Sequence, residues 1–137
     1  MTAWQYRPCD RLLHVPPLHH IHGTVNAILT PLLAGSSIEF MYPCKVDEVW
    51  RHFAAHSIGP DGACGNTREV YDIGCRDTRL PITFFNAVPT IWSRMLESYT
   101  LLSGLRAPAK EAISSRHLRL NISGSAALPK SIRDGWT

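Results

Sequence analysis

Runs of β-forming residues alternate along this chain with stretches whose apolar positions recur every three or four residues. That alternation restricts the fold more than any other feature. Residues 11–15, "RLLHV", read as a short strand that ends at Pro16 and Pro17, whose missing amide donors stop a ladder or a helix. From Ile21 the apolar positions Ile21, Val25, Ile28, Leu29, Leu32 and Leu33 predict the inner face of a half-buried helix, with Pro31 placed to kink it and Gly35 to cap it. Residues 37–41, "SIEFM", predict a second strand. Residues 46–55 predict a helix with Asp47 and Glu48 at its positive end and an inner stripe of Val49, Trp50 and Phe53.

The same alternation resumes further on. "ITFF" at 82–85 predicts a strand, and Pro89 opens a helix running to about Leu102 with Ile91, Trp92, Met95, Leu96 and Tyr99 on its apolar face. A weaker helix at 109–115 precedes a strand at 118–123, "LRLNIS", and Pro129 starts a last helix. Strands separated by helices imply an α/β fold, a partial parallel β-sheet flanked by helices, with ligands expected beyond the carboxyl ends of the strands. Both "PLHHIHG" and "SGSAAL" follow predicted strands and so fall on that rim.

Residues 57–81 break the pattern. They hold four of the nine glycines and two of the four cysteines without usable periodicity, and loops beyond roughly 12 to 15 residues are uncommon inside compact domains. The expected organisation is therefore a first part at 1–56, an irregular insert at 57–81, and a second part at 82–137.

Composition narrows the function. With 45% hydrophobic and 18% charged residues the chain can bury a core. Its net charge of +3 is dispersed, with no basic run dense enough to follow a nucleic-acid backbone. Cys9, Cys44, Cys64 and Cys75 lack CxxC spacing and read as free thiols. No apolar run reaches the ~18 residues of a membrane span, and no leader-like apolar core opens the sequence.

Two motifs carry the chemistry. His19, His20 and His22 could offer zinc nitrogens, but three imidazoles in one short loop rarely converge on a tetrahedral point, so a polar loop capping a helix is the plainer reading. No Ser or Cys sits in a G-x-S-x-G turn. In "SGSAAL", the bareness of Gly124, Ser125, Ala126 and Ala127 would let a backbone lie flat against a planar ring; it would equally serve plain close packing.

Taken in order, "DRLLHVPPLHHIHGTVNAILTPLLAGSSIEFM", "ITFFNAVPTIWSRM" and "LRLNISGSAALP" resemble the adenylate-forming acyl-CoA synthetase family, closest to its malonyl-CoA synthetase branch. The resemblance spares only 57–81, which has no counterpart and suggests a translated intron or misjoined gene model. It implies a two-step reaction in which a carboxylate attacks MgATP to give an acyl-adenylate, whose AMP is then displaced by the thiol of coenzyme A. By resemblance, Gly124, Ser125, Ala126 and Ala127 lie along adenine. His20 gates the acyl pocket, and Val88, Pro89 and Thr90 border it with Ser123.

For a dicarboxylic acid such as malonate or methylmalonate, Arg119 is the expected receptor of the distal carboxylate and Arg94 the second candidate. The family's phosphate loop, its magnesium-binding glutamate and its catalytic lysine are not among these 137 residues. The resemblance thus implies a fragment of the large domain, inactive by itself, with ATP, Mg2+ and coenzyme A belonging to the intact enzyme and a mitochondrial or cytoplasmic location. Two other readings stay open: a non-catalytic nucleotide- or partner-binding remnant, and a histidine-cluster metal protein.

Overall fold

The computed structural model describes residues 4–57 and 81–136, without the side chains of 55–57; the irregular stretch predicted at 57–81 lies almost wholly outside the described residues. Four short strands, β1 (Arg11–His14), β2 (Ser37–Phe40), β3 (Phe84–Ala87) and β4 (Leu120–Ser123), form one sheet in the order β2-β1-β3-β4. Every neighbouring pair is parallel, with Leu12 beside Ile38 and Phe84, and Asn86 beside His14 and Ile122. All four carboxyl ends therefore point to one rim, as the alternation of elements predicts. Strand β3 lies two residues later than "ITFF" suggests. Its four residues Phe84, Phe85, Asn86 and Ala87 are all buried, so no polar alternation marks its limits.

Side chains alternate between the faces of the sheet, and the two faces differ. On one face Leu13, Val15, Phe85 and Ala87 meet α2 (Val46–Ser57), α3 (Pro89–Tyr99) and α4 (Arg106–Ala112) through Val49, Trp50, Phe53, Trp92, Met95 and Ala109. Here the expected inner stripe of α2 holds. Val49 and Trp50 are fully buried, and Phe53 stands edge-on to Phe85 with ring centroids 5.3 Å apart. Helix α4 begins at Arg106, before the expected 109, and α5 (Lys130–Gly135) closes the described chain.

The other face buries less. Leu12, Ala27, Phe84 and Ile122 form its cluster, with Trp4, Tyr6, Ile38 and Leu120 partly buried around them. Its cover is a π-helix, His22–Leu29, that tightens into a single α-turn, α1 (Thr30–Leu33). Pro31 explains the change of winding. It has no amide to offer four residues back, and the Thr30 N–H and hydroxyl both bond the Val25 carbonyl, five residues back. The kink expected at Pro31 thus takes the form of a wider turn before it.

The burial of this helix reverses the expectation. His22, Gly23, Ala27 and Pro31 face the sheet, whereas Ile21, Leu29, Leu32 and Leu33 are 78%, 50%, 54% and 73% exposed. The apolar stripe is real, but it points away from the sheet.

Candidate binding rim

Where β1 ends, Pro16 and Pro17 lead into the loop carrying Leu18, His19 and His20. The helix then starts hard against that loop. A side chain at Gly23 would put its first carbon 2.3 Å from the Pro17 carbonyl oxygen, so only glycine fits. The Thr24 hydroxyl bonds the Leu18 carbonyl, and His14, buried on β1, meets the Gly23 carbonyl through Nε2 at 2.8 Å. These contacts fix how the histidine loop leaves the sheet.

The three histidines part company there. His19 and His20 are exposed, their rings 4.3 Å apart. His22 turns inward, and the Asn26 amide nitrogen faces its Nδ1 at 3.2 Å. An amide nitrogen can only donate, so Nδ1 accepts and a neutral ring carries its proton on Nε2. That Nε2 is buried without a partner. Among the described residues no group of three or more His, Cys, Asp or Glu is placed to hold a metal ion.

The small-residue turn follows β4. Gly124 donates its N–H to the Ala87 carbonyl at 3.3 Å, extending the β3–β4 pairing by one residue. A carbon added at Gly124 would lie 2.1 to 2.5 Å from three atoms of the His22 ring. The two motifs therefore touch, through His22. Beyond Gly124, Ser125 takes a left-handed φ of 68°, which a side-chain-bearing residue adopts at a cost, and Ser125, Ala126 and Ala127 stand exposed on the rim. The Ser123 hydroxyl is buried and unpartnered.

Between the two turns, β3 ends at Val88, whose extended backbone caps α3 ahead of Pro89. Val88 and Pro89 are half-buried and Thr90 is exposed. The Ala87 carbonyl that takes the Gly124 N–H also accepts the Trp92 indole N–H at 3.2 Å.

Arg119 stands elsewhere. It precedes β4, so it belongs to the amino ends of the strands, about 13 Å of extended chain from Ser123. There it donates from Nε and Nη2 to the two Asp10 oxygens at 3.1 and 2.5 Å. Asp10, 2% exposed, also accepts the Thr83 hydroxyl and the Arg7 N–H. A guanidinium so engaged serves as the counter-ion of the buried Asp10 carboxylate. Tyr6, beside this pair, has its hydroxyl pushed up to about 12, by burial first and Asp10 second. Arg94 is exposed on α3; its charge reaches the half-buried Cys44 thiol, which burial pushes up and Arg94 pulls down.

A parallel α/β sheet whose carboxyl rim joins a histidine loop to a small-residue turn defines a class of α/β domain. Which member is answered by the chain's relatives: it is homologous over its whole length to a segment of CoA ligases. It is 60% identical to a CoA ligase of Gibberella moniliformis, over 99% of this chain and 23% of the relative. It is 35% identical to a malonate–CoA ligase of Arabidopsis thaliana, over 98% of this chain and 20% of the relative. The mitochondrial malonate–CoA ligase of Mus musculus is 33% identical, over 98% of this chain and 20% of the relative.

Solved structures agree. A malonyl-CoA ligase in a ternary product complex with methylmalonyl-CoA and AMP superposes with a TM-score of 0.65 at 26% identity, over 98% of this chain and 22% of that one. The ATP-bound MatB of Rhodopseudomonas palustris shares the fold, with a TM-score of 0.62 at 24% identity over 97% of this chain and 20% of that one. No protein-family model matches the chain. The chain thus spans about a fifth of the length of the relatives it matches.

Proposed function

We propose that this chain is the acyl- and adenine-facing segment of an AMP-forming acid:CoA ligase that activates malonate or a methylated malonate with ATP. The observation that carries the reading is the contact of the His22 ring with Gly124, which brings the two motifs onto one rim. Gly124, half-buried under the His22 ring, leads into Ser125, Ala126 and Ala127, which present a bare, exposed backbone on which a purine can lie. Val88, Pro89 and Thr90, with the histidine loop, border the neighbouring space for the acid. His20, exposed in that loop, is free to move as coenzyme A enters. The N-terminal end of α3 opens at the same rim, where its dipole favours an anion.

The segment binds and orients; it does not transfer. Activating a carboxylate at a phosphate needs cations placed around the transferring charge. The family's loop, glutamate and lysine that supply and hold them lie outside these residues. The chain by itself therefore binds AMP saturably and releases no pyrophosphate from ATP in the presence of malonate. Calorimetric titration with AMP and a coupled pyrophosphate assay check this. Malonate-dependent pyrophosphate release contradicts the inactivity, and no AMP binding contradicts the rim. The relative from Mus musculus makes a mitochondrial location the first choice and the cytoplasm the second.

A further inference from the structure

The winding of the helix over the second face leaves one carbonyl without its helical donor. In π winding each carbonyl accepts from the N–H five residues on, and for Asn26 that residue is Pro31, which has none. The Thr30 N–H, which α winding would offer, already bonds Val25. The donor comes instead from outside the helix: the Tyr6 hydroxyl bonds the Asn26 carbonyl at 2.9 Å. Tyr6 is itself held edge-on against Phe84 of β3, with ring centroids 5.1 Å apart. Asn26 is therefore anchored to the sheet through its own backbone.

Its side chain works from that anchor. The Asn26 amide nitrogen faces His22 Nδ1 at 3.2 Å, four residues back along the same helix. An imidazole turns about a broad terminal torsion, so an unpartnered ring samples many angles. A bond to Nδ1 ends that freedom and fixes which nitrogen carries the proton. The end of the ring so held is the end that meets the rim. Its Cε1, Nε2 and Nδ1 lie 2.1 to 2.5 Å from where a first side-chain carbon would stand at Gly124. The small-residue turn thus starts against a fixed surface. Gly124 is tied by its N–H to the Ala87 carbonyl, and Ser125 enters the left-handed region directly after it, with φ of 68°.

Resting on the rim reading above, we propose that Asn26 is a positioning residue for the nucleotide, acting through His22. It holds that ring as the Nε2–H tautomer in one pose, and the ring sets where Ser125, Ala126 and Ala127 present their backbone. Tyr6 is the outer member of the same relay, which runs from Tyr6 to Asn26 to His22 to Gly124. An aspartate at position 26 would keep the shape and reverse the sense. A carboxylate only accepts, so it would draw the proton to Nδ1.

The test uses the whole chain, isotope-labelled for NMR, at about pH 8.5, where imidazole is neutral. Long-range proton–nitrogen correlation spectra of the His22 ring read the tautomer, and calorimetric titration reads AMP affinity. The parent is expected to show Nε2–H alone. Asn26→Asp is expected to move the proton to Nδ1 and to bind AMP about tenfold more weakly. Asn26→Ala is expected to show both tautomers, with a loss of affinity of the same size. Phe53–Phe85 cross-peaks report that each variant is folded. Tyr6→Phe, which removes one hydroxyl, is expected to weaken AMP about threefold, and it decides the matter where neither Asn26 variant folds.

A parent ring carrying its proton on Nδ1 overturns the inference. So does unchanged AMP affinity in a folded Asn26 variant whose tautomer has moved, since the bond is then purely structural. Lost affinity with the tautomer unmoved overturns it too, because Asn26 then acts by another route. Where the Asn26 variants do not fold, unchanged AMP affinity in Tyr6→Phe has the same force. In all these cases AMP still binds the parent and the rim reading stands; no AMP binding by the parent overturns both.

Discussion

The two faces of the sheet solve the same problem with different material. On one, three helices bring large aromatics against Leu13 and Phe85, and Trp50, Trp92 and Trp136 join Phe53 and Tyr99 in a continuous set of ring contacts. On the other, a π-helix and a single α-turn lay Gly23, Ala27 and Pro31 on the strands and turn leucines outward. The first face holds the fold together. The second keeps its helix close enough to the sheet for His22 to touch Gly124, which is what the rim requires, and buries far less apolar surface in doing so.

Four substitutions and one titration sharpen or break this contrast. The largest effect is expected from Phe85→Ala, which empties the aromatic face and should cost about 3 to 5 kcal/mol, whereas Leu33→Lys on the other side should stay within about 0.5 kcal/mol and raise solubility. Denaturant melts of both variants check this. Equal losses would mean that the outward leucines are covered and the contrast is false.

Arg119→Met comes next. It strands the Asp10 carboxylate, 2% exposed, without its counter-ion, and a loss of about 3 to 5 kcal/mol is expected with AMP binding retained in whatever remains folded. Loss of acid binding at unchanged stability would instead restore Arg119 to the substrate.

Gly124→Ala should cost less, about 1 to 3 kcal/mol, since the His22 ring can yield where a backbone could not, yet AMP binding should fall as the two turns are pushed apart. Calorimetry on the folded variant measures both.

The smallest effect concerns Tyr6. Its folded value of about 12 lies above the ordinary 10.0, so the protonated hydroxyl, which donates to the Asn26 carbonyl at 2.9 Å, is favoured in the fold. The stability it lends is complete below about pH 10 and is lost as pH rises from there through about 12. An ultraviolet titration of Tyr6→Phe against the parent isolates that phenol.

Much of this was legible beforehand, and the misses have physical causes. Val49, Trp50 and Phe53 were readable as one buried stripe because large side chains at helical spacing have few other uses. The stripe from Ile21 to Leu33 obeys the same period and faces the other way. Periodicity says which residues share a side; which side is covered depends on the rest of the chain. The π-winding before Pro31 left no mark beyond the proline itself. Arg119 looked unattached because its partner, Asp10, stands 109 positions away. The motifs on the rim were visible, but the contact of His22 with Gly124 was not, since only the bare Cα of Gly124 lets an imidazole come so close.

The claim on which the rest depends is that the imidazole of His22 lies against Gly124, uniting the two turns on one rim. A nuclear Overhauser experiment on the whole chain reads that contact directly. The account predicts strong cross-peaks between the His22 ring protons and the Gly124 α-protons. Their absence in a folded chain whose Phe53–Phe85 cross-peaks are intact would contradict it.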